Sequence, residues 1–121
     1  MKKNLNHIAQ TIFDKKGFNI IALDVKGLSS LTDYLIIAEG NIERHVKAIG
    51  QAVIETLKEI DQAPWHVEGD KTGDWMVVDA GDVIVHILVP ELREKYGLEF
   101  LWKEAKVVDL DIVVEERKQY G

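Results

Sequence analysis

The chain has 121 residues, of which 46% are hydrophobic and 30% charged, the balance of one soluble globular domain with a core of its own. It contains no cysteine, which excludes disulfides and thiolate metal sites and is compatible with a reducing compartment. With 15 basic and 21 acidic residues the net charge is −6, which argues against a sequence-independent grip on a phosphate backbone and suits a basic protein partner.

At the N-terminus, MKKNLNHIAQ leads into helical periodicity instead of an apolar signal core, and no run approaches the roughly 18 apolar residues of a membrane span. The expectation is a cytoplasmic protein. Leu5, Ile8, Ala9, Ile12 and Phe13 share one helical face, and Gly17 is the expected terminator. Residues 18–25, FNIIALDV, read as a buried strand, and Thr32 to Glu39 as a second. From Asn41, a candidate N-cap, the period becomes helical, with Val46, Ile49, Gly50, Val53, Leu57 and Ile60 on one face through Asp61. A helix of that length after a strand implies a β-α-β unit.

Ala63-Pro64 breaks this helix. Trp65 to Glu68 reads as a short edge strand, and residues 69–73 as an exposed turn. Asp74 to Asp79 and Asp82 to Val89 form a hairpin, since Ala80-Gly81 leaves room only for a tight connection. Pro90 opens a short helix that Gly97 ends, and Leu98 to Trp102 adds an apolar patch. The expected fold is α/β: one domain over residues 1–104 with a mixed five-stranded sheet flanked by helices, then a tail over 105–121. A docking strand, a short helix and a loose tail all fit that last segment.

Asp109 and Asp111, if on a strand, share a face, as a two-metal nucleotidyl-transfer site requires. A phosphate-holding loop with Ser or Thr is missing at Gly40-Asn41, however, and a solvated tail is the simpler reading. The four histidines, His7, His45, His66 and His86, fall on different elements without metal-ligand spacing. His45 is expected at the surface or capping a helix, and His86 half-buried with a backbone partner. Asp82 is expected to order the hairpin through its side chain. No nucleophile triad or phosphate-binding glycine motif is present.

Trp75, Val77 and Asp79 alternate onto one face of their strand, and Met76 and Val78 onto the other. Both faces carry apolar groups. Either the helix from Pro90 to Tyr96 covers the first, or Trp75, Tyr96 and Arg93 stay partly exposed as a docking patch, being residue types that dominate interface hot spots.

The segments TDYLIIAEGNIERHVKAI, DWMVVDAGDVIVH and REKYGLEFLW, in this order and spacing, closely resemble the ribosomal silencing factor (Iojap-like) family from about Ile20 to Trp102. The resemblance implies a nucleotidyltransferase-like fold without known catalysis or cofactor. It further implies binding to large-subunit ribosomal protein fourteen on the large ribosomal subunit, which blocks joining with the small one. A nucleotide-handling enzyme is the alternative. The motif positions are Asp33, Gly40, Arg44, His45, Trp75, Asp79, Gly81, Asp82, His86, Tyr96, Leu98, Glu99, Leu101 and Trp102. By residue type, partner contact is expected from Trp75, Val77, Asp79, Arg93, Tyr96, Leu98, Leu101 and Trp102. Structural roles are expected for Asp33, Gly40, Arg44, His45, Gly81, Asp82 and His86. Contact with ribosomal RNA would be incidental, and monomer and homodimer are both open.

Overall fold

A computed structural model describes residues 1–114. In chain order these form α1 (Lys2–Asp14), β1 (Phe18–Asp24), β2 (Tyr34–Glu39), α2 (Glu43–Glu59), β3 (His66–Glu68), β4 (Trp75–Asp79), β5 (Val83–Leu88), α3 (Pro90–Tyr96), α4 (Leu98–Leu101) and β6 (Lys106–Val108). The mixed sheet has six strands in the order β3-β4-β5-β2-β1-β6, not the five expected. The additional strand is β6, which pairs antiparallel with β1, Leu23 opposite Val107. The sheet therefore extends past residue 104. A three-residue edge strand is too short to show an alternation, so only its pairing reveals it.

Beyond β6 the chain runs along α1. Asn6 and Gln10, one helical turn apart, each exchange two hydrogen bonds with it: Asn6 with the backbone N–H and carboxylate of Asp111, Gln10 with the N–H and carbonyl of Val113. Asp111 also pairs with Lys2 at 3.6 Å. Asp109 and Asp111 thus lie beyond the end of β6, both exposed, and the shared strand face that a two-metal site needs is absent. Of the tail assigned to 105–121, residues 115–121 lie outside the described residues.

The two helical stripes read from periodicity pack together on one face of the sheet. Leu5, Ile8 and Ile12 of α1 and Val46, Ile49, Val53 and Leu57 of α2 are fully buried against Ile36, Met76, Val78, Val85 and Ile87. Each such side chain contributes on the order of 1.5–3 kcal/mol of hydrophobic stabilisation. Thr11 and Thr56 join the helices through a 2.7 Å hydroxyl contact inside this apolar seam.

The termini of α1 and α2 differ from expectation. The left-handed residue after α1 is Lys16 (φ 70), one position before Gly17, whose N–H closes onto the Ile12 carbonyl. Ile42, not Asn41, is the N-cap of α2, and it makes no side-chain cap. Asn41 lies one residue too early, and its backbone N–H is taken by His45 Nδ1 at 2.9 Å. Since Nδ1 accepts, Nε2 carries the proton and donates to the Lys15 carbonyl at 2.7 Å, tying the start of α2 to the end of α1.

The expected crossover is present in an extended form. β2 and β5 lie side by side in parallel, Ile37 opposite His86. Between them the chain passes through α2, out to the edge strand β3 and back through β4. The β4–β5 hairpin forms as expected, closed by the Ala80 N–H on the Val83 carbonyl. Its ordering carboxylate is Asp79, whose Oδ1 accepts from the Gly81 N–H at 2.9 Å. Asp82 acts through its backbone instead: its carbonyl accepts from the N–H groups of Asp33 and Tyr34, joining the turn to the start of β2. An Asx turn needs the carboxylate two residues before the N–H it caps, a position that Asp79 holds relative to Gly81.

Candidate partner-docking face

The second face of the sheet is covered unevenly. Leu23, Leu35, Ile37 and Leu88 lie beneath Leu98 and beside Leu92, Trp102 and Ala105 of the segment that includes α3 and α4. Towards β3 the cover stops. The β4–β5 register sets Val77 opposite His86, Asp79 opposite Ile84 and Trp75 opposite Leu88, and Trp75, Val77, Asp79, Ile84 and His86 are all only half-buried. Met76 and Val78 face the α2 side and are buried, as the alternation requires. Helices therefore cover the β1–β2 half of this face and leave the β4–β5 half partly open.

At the boundary stands an aromatic group. The Tyr96 ring, half exposed at the end of α3, packs tilted against Trp75 with centroids 5.1 Å apart. On the other side the Trp75 Nε1–H donates to His86 Nδ1 at 3.1 Å. The partner of His86 is thus a side chain, not the backbone group expected. In-plane sheet bonds already occupy the strand's own carbonyls, so the ring looks across the face to a diagonal neighbour. Burial pushes the His86 pKa down to about 4, so the ring is neutral at neutral pH.

Arg93 does not belong to the exposed surface; this corrects the sequence-based assignment. Only 9% of it is accessible. Its Nη1 donates to Glu39 Oε2 at 3.1 Å and to the Asn19 carbonyl, and its Nε and Nη2 both donate to Glu99 Oε2, at 3.2 and 3.1 Å. Asn19, held at φ 50 within an irregularity of β1, adds a further donor to Glu39. Burial alone would raise the Glu99 pKa; hydrogen bonds from Arg93 and from its own backbone outweigh this, and the carboxyl sits below its usual value. Arg93 therefore fastens α3 and α4 to the amino end of β1 and the carboxyl end of β2. The cause is elementary: a carboxylate buried at the end of an apolar strand requires a cation, and a planar guanidinium serves several oxygens at once.

The remaining site residues separate by burial. Leu98 is buried beneath α4 and holds it down, Trp102 is half-buried in the same cluster, and Leu101 is 69% exposed. Arg44 and Asp33 are exposed. Gly40 donates to the Leu88 carbonyl, and a Cβ there would lie 3.0 Å from the Val46 backbone nitrogen, so a larger residue would have to push the first turn of α2 a few tenths of an ångström from the sheet. Gly81 takes φ +85 beneath the Trp65 indole, 2.9 Å from where a Cβ would lie. Gly81→Ala is expected to lower stability by about 1–2 kcal/mol, read as a lower urea midpoint at unchanged slope.

Reasoning from residue type passed over Ile84 and Glu39. The alternation in VIVHIL sets Ile84 on the face of His86, and Glu39 ends an otherwise apolar strand; both signals are in the sequence. An open cleft of about 480 Å³ beside α3 and α4 is lined by Glu39, Pro90, Arg93, Glu94, Gly97, Glu99 and Phe100. None of the Trp75 group lines it, and its arginine is already paired. Among the described residues no group of three His, Asp or Glu is placed to hold a metal ion.

Comparison with known proteins agrees with this architecture. The family model described as "Ribosomal silencing factor during starvation" matches residues 1–120. A "Ribosomal silencing factor RsfS" of Chromobacterium violaceum is 42% identical over 93 residues, covering 77% of this chain and 76% of that protein. The protein of the same name from Bacillus subtilis is 36% identical, covering 91% and 93%. A crystal structure of a protein from Chromobacterium violaceum superposes with a TM-score of 0.81 at 34% identity, covering 94% of each chain. One from Bacillus halodurans gives 0.80 at 32%, covering 91% of this chain and 100% of that one. A more distant mouse relative, "Mitochondrial assembly of ribosomal large subunit protein 1", is 29% identical, and the match spans 46% of its length. With a family match over nearly its whole length and relatives above one-third identity, this chain belongs to the ribosomal silencing factor family.

Proposed function

We propose that this protein is a translational repressor that docks through its open β4–β5 face on large-subunit ribosomal protein fourteen, and that its bulk then keeps the large subunit from joining the small one. The observation that carries the reading is the partly open half of the sheet, where Trp75, Val77, Ile84, His86 and Tyr96 form one partly apolar surface beside better-covered strands. Clustered aromatics at the edge of a water-accessible apolar face are what hot spots are made of. Family membership and the names of the relatives point to the ribosome.

Within this reading Trp75, Val77 and Tyr96 make the central contact, with Asp79, Leu101 and Trp102 towards its margin. Arg93 and Leu98 serve from inside, by holding α3 and α4 in place. The net charge of −6 favours encounter with a basic ribosomal protein. A standard interface buries roughly 800 Å² per partner; this molecule exposes 7620 Å², so one face suffices. Occlusion requires no bond-making step, so a nucleotidyltransferase-like fold would serve here only as a scaffold. Such work belongs in the cytoplasm, and among the described residues no helix is long and apolar enough to cross a membrane.

The test is a subunit-joining assay with purified subunits. Saturating protein is expected to co-sediment with large subunits and lower the yield of joined ribosomes; an unchanged yield would refute the proposal. Trp75→Ala is expected to weaken subunit binding by roughly 30-fold, the effect of a hot spot worth about 2 kcal/mol. Circular dichroism of the same variant should show the native fold.

A further inference from the structure

The bond between Trp75 and His86 has a consequence for what the open face can recognise. An indole N–H is a donor only, so the nitrogen that it meets, His86 Nδ1, must be bare. A neutral imidazole has one proton, and with Nδ1 bare it resides on Nε2. Among the described residues Nε2–H has no hydrogen-bond partner. It is not a buried orphan either, since the one fully buried side-chain atom left unpaired there is Gln62 Oε1. Nε2–H therefore reaches the surface of the β4–β5 face, amid Val77, Ile84 and Trp75.

We infer that His86 is the specificity-determining polar contact of the docking face: Trp75 locks its tautomer, and its Nε2–H donates to a main-chain carbonyl of the protein partner. The inference rests on the docking reading above and adds the chemistry that the partner must present. A neutral acceptor fits better than a carboxylate or phosphate. An anion beside the ring would draw a second proton onto Nδ1, and that proton would collide with the Trp75 N–H. Once the surrounding apolar groups are covered, an unmet Nε2–H would lose water without replacement, so a surface lacking an oxygen there is rejected.

The test combines nitrogen-15 NMR of the full chain with calorimetry against isolated large-subunit ribosomal protein fourteen. The wild type is expected to show a bare Nδ1, a protonated Nε2, and an indole N–H shift for Trp75 typical of a hydrogen-bonded donor. His86→Asn offers an oxygen near the Nδ1 position but no donor at Nε2. It should keep the indole shift and bind roughly three- to tenfold more weakly. His86→Phe should lose both the indole shift and the affinity. A proton on Nδ1, or wild-type affinity in His86→Asn, would overturn the inference. Weakening seen only with intact subunits would also overturn it, in favour of an RNA oxygen. Absence of wild-type binding would instead refute the docking reading and the partner contact with it, while the tautomer would still report on the lock.

Discussion

Arg93→Met is expected to lower the free energy of unfolding by roughly 3–5 kcal/mol, the cost of leaving a buried charge without its partner. Methionine keeps an unbranched apolar stem but not the guanidinium, so the loss reports on the charge and on the hydrogen bonds that it donates. The Glu39 side chain, 9% accessible, would keep only the Asn19 amide among the donors it has now. Glu99 is freer to find water, at 42% accessible, and contributes less to the penalty. The double variant Arg93→Met/Glu39→Gln should recover a substantial part of the loss, because a neutral amide is far cheaper to bury than a lone carboxylate. Urea unfolding of the four proteins of this cycle gives the coupling directly. Were Arg93 a surface contact instead, stability would change by less than about 0.5 kcal/mol while partner affinity fell. Since Arg93 anchors the helix that carries Tyr96, its loss is also expected to loosen the packing over Trp75.

The second large effect is acid destabilisation centred on His86. Burial lowers its folded-state pKa to about 4, from 6.5. Between these values the unfolded chain binds a proton that the native chain refuses, so stability rises with pH across that window. Above 6.5 the stabilisation is complete; it falls as the pH drops below 6.5 and is exhausted near 4, a total of about 3 kcal/mol. Protonation of Nδ1 would also set two N–H groups face to face and break the Trp75 bond. The check is a series of urea midpoints between pH 7.5 and pH 4 on the wild type and on His86→Phe. The slope in that window should be much reduced in the variant. Glu99 acts at lower pH and in the same direction. Its folded pKa is depressed, so its contribution disappears as the pH falls through that lowered value.

These two residues also show how far local pattern reaches. The amphipathic stripes of α1 and α2 and the opposite facing of Trp75 and Met76 are written in periods of 3.6 or 2, and the β4–β5 hairpin and the helix started by Pro90 and ended by Gly97 in local turn, start and stop residues. They can be read locally because each depends only on residues within a few positions. The resemblance over three ordered motifs led to the correct family for the same reason: the motifs are contiguous.

What pattern could not supply is which segments meet. Arg93 has the composition of a docking residue, and only the approach of Glu39, 54 positions earlier in the chain, turns it into an internal clamp. Asp82, directly after Gly81, has the residue type and position expected of the turn's ordering group, and backbone geometry gives that role to Asp79 instead. The strand β6 exists because β1 offers an edge, not because three residues of Lys-Val-Val announce a strand. The openness of the β4–β5 face is likewise a tertiary property, since it depends on where α3 and α4 come to rest. Alternation along a strand marks two faces; ion pairs and packing between distant elements decide which of them is left to water.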